Sequence, residues 1–174
     1  MAHEITMLGT GNAFLPNGRH HSFAIIDRKH IIDAPPTALI SLRENGIKID
    51  EITTIFITHL HGDHIFGLPG LLCTLDDCRE KPLIIHGPPG LTQFCKTFKK
   101  SIRNYNLIIK EYNSVYNQII NIPCHHYEYI VESCKVLHCG ECFAYSITKK
   151  RISNEFLIYS NKNFPSNYQN KTET

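Results

Sequence analysis

Residues 58–64 read Thr-His-Leu-His-Gly-Asp-His, so three imidazoles and one carboxylate fall within the six positions from His59 to His64. The segment before them, Glu51 to Ile57, is β-branched and apolar and reads as a buried strand. Gly62, Gly67, Pro69 and Gly70 then mark a loop leading into a helix. The cluster therefore sits at the tip of a strand, in a loop held by a rigid scaffold. Neutral imidazole and carboxylate are ligands suited to zinc, manganese or iron. One tetrahedral zinc rarely takes four ligands from six adjacent residues, so two metals sharing the loop is the easier geometry. The plainer alternative is a polar, histidine-rich surface loop. The position after a strand and before a helix favours metal.

A chain of 174 residues is long enough for one domain with a real core and short for two. Its 42% hydrophobic and 20% charged content is that of an ordinary soluble globular protein. A formal net charge of +2 is too small to argue for nucleic acid by bulk electrostatics. Seven cysteines cannot all pair, and Met1-Ala2-His3-Glu4 begins no secretory signal. No apolar run approaches membrane-spanning length, so no membrane partner is expected. Free thiols in a reducing cytoplasm are the expectation.

Along the chain, Ile5 to Leu8 reads as an edge strand ending in Gly9-Thr10-Gly11-Asn12, which lacks the third glycine of a dinucleotide fingerprint. Phe23–Asp27 and His30–Asp33 read as a hairpin turned at Arg28-Lys29. Asp33 ends the second strand, where turn or cap chemistry is its ordinary role. The spacing predicts helices over Thr37–Asn45, Leu71–Cys78 and 91–100, with a strand at Leu83–His86. Lys96, Lys99, Lys100 and Arg103 read as a solvated helix face, with an RNA-contact patch as the second reading. From Asn106 the pattern changes to short strands: Leu107–Ile109, Gln118–Ile122, Tyr127–Val131, Phe143–Ile147 and Phe156–Tyr159. Cys73 and Cys78 read as core thiols. His20, His21, His86, His125 and His126 read as surface or hydrogen-bonded, with His20 or His21 lining the cleft as the alternative. Residues 1–160 are expected to form one domain and 161–174 a polar tail.

His59-Leu60-His61-Gly62-Asp63-His64 resembles the H-x-H-x-D-H signature of the metallo-β-lactamase superfamily. Leu8-Gly9-Thr10-Gly11-Asn12-Ala13-Phe14, Gly67-Leu68-Pro69-Gly70-Leu71-Leu72 and His86-Gly87-Pro88-Pro89-Gly90-Leu91 resemble its ribonuclease Z-like branch. The resemblance covers most of residues 4 to 160. It implies an α/β (α+β) fold, a metallo-β-lactamase-like αββα sandwich, here with its second half truncated. It also implies roles. His138 matches the family's third histidine, and with His59 and His61 would form a three-nitrogen metal site with an open position for water. Asp63 and His64 would serve a second metal, and Asp63 would orient or deprotonate the attacking water. Asp33 matches an aspartate that orients ligands from beneath the loop. Ala34-Pro35-Pro36 departs from the Gly/Glu-rich segment common in ribonuclease Z.

The resemblance also exposes a deficit. The family uses a bridging aspartate and a further histidine after the third one. Here the only later acids are Glu141, Glu155 and Glu173, and no histidine follows His138. One zinc is therefore expected to be well held and a second weakly or not at all, with manganese or iron as substitutes. Cys139-Gly140-Glu141-Cys142 has no second pair at zinc-site spacing and reads as a turn. The implied activity is metal-dependent hydrolysis of a phosphodiester, as in tRNA 3′-end processing. A small or cyclic nucleotide substrate, or a zinc-binding but inactive paralogue, are the alternatives. RNA or a small nucleotide is the expected partner, and a homodimer is allowed. Activity is expected at least ~10²-fold below a complete homologue, the scale seen when support of a metal site is lost.

Overall fold

The computed structural model describes residues 4–15, 17–112, 118–124 and 127–151. The first part of the chain alternates strands and helices. These are β1 (Ile5–Gly9), β2 (Phe23–Ile26), β3 (His30–Ile32), α1 (Ala38–Glu44), β4 (Thr54–Phe56), α2 (Gly62–Ile65), α3 (Leu68–Asp76), β5 (Leu83–Gly87), α4 (Leu91–Lys96) and β6 (Leu107–Glu111). Three strands follow: β7 (Gln118–Cys124), β8 (Tyr127–Lys135) and β9 (Phe143–Arg151).

Two sheets result. The first has the order β1-β2-β3-β4-β5-β6 and the second β7-β8-β9. β1, β2 and β3 pair antiparallel, as the hairpin signal predicts, whereas β3, β4, β5 and β6 run parallel. Parallel strands deliver their C-terminal ends to one edge, where loops from separate segments meet. Asp33 follows β3, Thr58 to His64 follow β4, and Pro88-Pro89-Gly90 follow β5 at that edge.

Side-chain alternation gives the first sheet two different faces. Ile31, Ile55 and Ile85 lie in register and pack with Leu42, Ile65, Leu68, Leu71, Leu72 and Leu91 of the helices. Each such fully buried side chain contributes about 1.5–3 kcal/mol. The other face carries His30, Phe56 and His86, which meet aromatic side chains of the second sheet and Tyr112. The described residues thus form three layers of an αββα sandwich: helices, a six-stranded sheet and a three-stranded sheet.

Some expectations are refined. The helix at 91–100 ends at Lys96, and a separate 3-10 turn spans Lys99–Ser101. The helix expected from Leu71 starts earlier, at Leu68 with Pro69 in its first turn, a position proline tolerates. Gly67 enters it because a Cβ there would lie 1.8 Å from the Pro35 carbonyl oxygen. β8 and β9 are nine residues each, longer than the expected segments, because one unbroken antiparallel ladder runs from Tyr127↔Arg151 to Lys135↔Phe143. Cys73 and Cys78 are exposed, not core thiols, because α3 turns Leu68, Leu71, Leu72 and Leu75 inward. Cys95 and Cys142 are the buried ones among the described cysteines. The expected strand Phe156–Tyr159, the tail at 161–174, His125 and His126 lie outside the described residues. Among the described residues no helix is long and apolar enough to cross a membrane.

Candidate metal centre

The base of the site is Asp33, at the end of β3. Its backbone is left-handed, with φ 65°, a conformation that aspartate tolerates better than most residues. Its N–H donates to the Phe56 carbonyl at 2.7 Å. Its carboxylate then faces the residues leaving β4. Oδ1 accepts the Thr58 N–H at 2.8 Å, and the Thr58 hydroxyl lies 2.9 Å from both carboxylate oxygens. Oδ2 lies 2.7 Å from His64 Nδ1. One carboxylate therefore fixes both ends of the 58–64 loop. The hydrogen bond that His64 Nδ1–H donates to Asp33 is the main reason the His64 imidazole is pushed above its ordinary pKa, against the effect of burial.

The same contacts determine the tautomer of His59. The Thr58 hydroxyl proton points to Asp33, so its oxygen can accept from His59 Nδ1, 2.9 Å away. His59 Nε2 is then left with a free lone pair. It points at His61 Nδ1, 3.1 Å away. Burial is the largest cause holding His59 neutral, with its pKa pushed down to about 4; the neighbouring His64 adds to this and Asp33 opposes it.

His138 arrives from the second sheet. It lies in the turn joining β8 to β9, closed by the Val136 N–H to the Cys142 carbonyl at 2.9 Å and by Gly140 at φ 90°. The ion pair of Lys135 with Glu141, at 2.8 Å, braces the same turn. Phe143 N–H donates to the Thr58 carbonyl at 2.9 Å, which docks the turn against the 58–64 loop. His138 Nε2 consequently lies 3.3 Å from His61 Nδ1. One ring nitrogen from each of His59, His61 and His138 falls within 4.8 Å of the others. Two nitrogens each about 2.0–2.1 Å from a tetrahedral zinc stand roughly 3.3 Å apart, so these separations suit one cation. His59 is buried, whereas His61 and His138 are exposed on the open side.

Asp63 does not join that trio. Its Oδ2 lies 3.5 Å from His64 Nε2, so the two residues expected to serve a second metal are adjacent to each other. The Asp63 side chain is 23% exposed. A cavity of about 220 Å³ covers His59 and His61, walled by Leu60, Pro89 and residues 139–141. A larger cavity, about 890 Å³, opens near Asp50, Asp76 and Arg79, away from the histidines. Its one buried cation, Arg79, is already taken by the carbonyls of Lys81, Asp50, Ile52 and Pro82.

Sequence reasoning missed several participants. His86 is neither at the surface nor bonded through Nδ1: it stacks on Phe56 and Tyr112, with Nδ1 buried. His30 is buried beside Tyr129 in the same seam. The alternation of apolar residues in β3 and β5 places both inward, and that was the available signal. His20 is half-buried and hydrogen-bonded, its Nε2 2.7 Å from Glu44 Oε2. Thr58, which opens the histidine stretch but has no ligand chemistry to mark it, and Tyr145, which lies in no motif, tie the loop to its surroundings.

A helix-covered mixed sheet facing a second sheet, with histidines gathered at the ends of parallel strands, defines a metallo-β-lactamase fold. Solved structures agree. The human short-form tRNase Z matches with a TM-score of 0.68 at 28% identity, covering 83% of this chain and 64% of that one. The fold protein YhfI of Bacillus subtilis matches with a TM-score of 0.65 at 18% identity, over 84% of this chain and 58% of that one. The chain belongs to the family whose model is described as "Anti-Pycsar protein Apyc1", which matches residues 3–161. It is a ribonuclease Z-like member of the metallo-β-lactamase superfamily. Ribonuclease Z of Parabacteroides distasonis is 35% identical over 170 residues, covering 87% of this chain and 53% of that protein. Zinc phosphodiesterase ELAC protein 1 of Homo sapiens is 40% identical over 103 residues, 54% of this chain and 28% of that protein. The chain thus spans about half the length, or less, of these curated relatives.

Proposed function

We propose that the protein is a metal-dependent hydrolase of phosphodiester bonds, with His59, His61 and His138 as ligands of one zinc. The observation that carries the reading is the convergence of three ring nitrogens from positions 59, 61 and 138 within 4.8 Å. The donor set suits the ion. Three neutral nitrogens leave a fourth position for water or substrate, as in catalytic zinc sites. Manganese or iron would accept the same donors. A zinc bound there would lower the pKa of a water and offset charge on the phosphoryl oxygens.

The remaining roles fall to the chain itself. Neutral His59 offers Nε2 because Nδ1 is engaged by Thr58. Asp63 would accept a proton, at a carboxylate oxygen, from the attacking water. His64 Nε2, 3.5 Å from Asp63 Oδ2, holds that carboxylate in place, while Asp33 holds His64. Asp63 and His64 are the pair that a second, weaker ion would use. The names of the relatives, ribonuclease Z and zinc phosphodiesterase, support a phosphodiester substrate and zinc. RNA, with tRNA 3′ ends among its members, is the first substrate class to test, in the cytoplasm.

A second reading is favoured by the cavity over His59 and His61. It is a small space, about 220 Å³, directly over two of the proposed ligands, and a small or cyclic nucleotide would need to bring only its phosphodiester group into it. Hydrolysis of a chromogenic phosphodiester, a cyclic nucleotide and a tRNA precursor by the zinc-loaded protein, each against His59→Ala, tests both readings. Turnover of the small substrates alone would favour the second. No turnover of any of them, with zinc bound, would leave a zinc-binding but inactive domain.

A further inference from the structure

Strand β4 loses a partner where it becomes the 58–64 loop. Ile57 N–H donates to the His86 carbonyl at 2.8 Å, in the parallel ladder of β4 with β5. In that ladder the Ile57 carbonyl would next accept the N–H of residue 88. Residue 88 is proline and has none. A main-chain carbonyl left without a donor beside the site would be costly and free to shift. Tyr145 supplies the donor: its hydroxyl reaches from β9 to the Ile57 carbonyl at 2.6 Å.

Tyr145 is well placed to hold this position. Its ring packs on Phe56, with centroids 5.2 Å apart, and on Tyr112, at 5.9 Å. Burial pushes its hydroxyl well above the ordinary pKa, so it remains a donor. Two residues earlier on the same strand, Phe143 N–H takes the Thr58 carbonyl at 2.9 Å. β9 therefore grips two successive carbonyls at the root of the histidine loop. The turn preceding β9 carries His138. The distance between the two halves of the site is set by this strand.

We infer that Tyr145 is a positioning residue: its hydroxyl substitutes for the ladder bond that Pro88 cannot make, and so fixes the approach of His138 to His59 and His61. The inference rests on the zinc site proposed above. Neither the H-x-H-x-D-H stretch nor the proline-glycine motif indicates it, because the two partners lie 88 residues apart.

The test compares zinc affinity, by competition with a chromogenic chelator, in the unaltered protein, Tyr145→Phe and Tyr129→Phe. The absorption spectrum of the cobalt-substituted proteins is recorded alongside. Tyr129 makes a comparable inter-sheet hydrogen bond, to Asp27 at 2.6 Å, and touches none of His59, His61 and His138 in any contact described above. It controls for general loss of stability. Tyr145→Phe is expected to weaken zinc about 10-fold, within the range for groups that support metal ligands, and to change the cobalt spectrum. Tyr129→Phe should leave both unchanged. Equal zinc affinity and an identical spectrum in Tyr145→Phe would overturn the inference while leaving the zinc site intact. So would equal losses in the two variants. Failure of the unaltered protein to bind zinc would overturn the site itself, and with it this inference.

Discussion

The seam between the two sheets has two polar ends, and they are built on opposite principles. At one end Asp27 receives the Glu4 N–H at 2.9 Å, the Tyr129 hydroxyl at 2.6 Å and the Lys149 ammonium at 3.0 Å. Lys149 also sits over the Tyr127 ring, 4.6 Å from its centroid. Burial works to raise the Asp27 carboxyl, but the donors outweigh it and hold the group below the usual carboxylate range. Here a negative charge is balanced within the chain. At the other end three imidazoles turn nitrogens toward one another at 3.1 and 3.3 Å, and among the described residues no carboxylate joins the group. Of the two nearby anions, Asp33 is engaged by Thr58 and His64, and Asp63 lies 3.5 Å from His64 outside the trio. The first end is complete as it stands. The second concentrates lone pairs on one point, an arrangement that a cation would complete.

Substitutions at the two ends should therefore differ in kind. The largest effect is expected from His138→Ala, which leaves two nitrogens on one loop. Phosphodiester hydrolysis should fall by more than ~100-fold, beyond the range for residues that only support ligands, while the urea midpoint of the metal-free protein stays close to that of the unaltered chain. Hydrolysis that survives His138→Ala would remove the distinction between the two ends.

Next is acid. His30 and His86 are buried and held neutral, their pKa pushed from 6.5 down to about 4, chiefly by desolvation. Between those values the unfolded chain binds protons that the folded chain refuses. Stability is then full above pH 6.5 and falls as the pH drops toward 4, by up to about 3 kcal/mol for each residue. Urea unfolding at pH 7 and pH 4.5 measures it, and His86→Phe should flatten the profile. An unchanged slope would mean that the imidazole at 86 is not excluded from water.

A smaller loss is expected from Asp33→Asn. It keeps the shape but weakens the hold on Thr58 and His64, so zinc affinity should fall about 10- to 100-fold in a chelator competition. The smallest is expected from Tyr129→Phe at the Asp27 end. It should cost about 1–2 kcal/mol in urea unfolding with turnover unchanged. A loss of turnover there would show that the two ends are coupled through the sheet.

How much of this was legible beforehand follows from the range of the interactions. The His59–His64 stretch, the β2–β3 hairpin and the helix apolar faces depend on neighbours in sequence, and periodicity reveals them. The αββα architecture and the placing of His138 came through resemblance, since nothing within a few residues of 138 marks it. The β8–β9 ladder runs past the apolar segments because its outer residues are polar: Lys150 is exposed, and Lys149 turns into the seam, where it pairs with Asp27, 122 residues away in sequence. Apolar content alone suggests a core for Cys73, but the phase of α3 turns Leu68, Leu71, Leu72 and Leu75 inward and Cys73 outward. Tyr145 was invisible: its role exists only because Pro88, on another strand, withholds an N–H.

The central claim is that residues 59, 61 and 138 share one ion. Metal analysis of the protein purified without added zinc, beside His138→Ala prepared identically, tests it directly. About one equivalent of zinc in the first and a marked loss in the second is the predicted result. Equal zinc in both, or none in either after zinc is supplied, would contradict it.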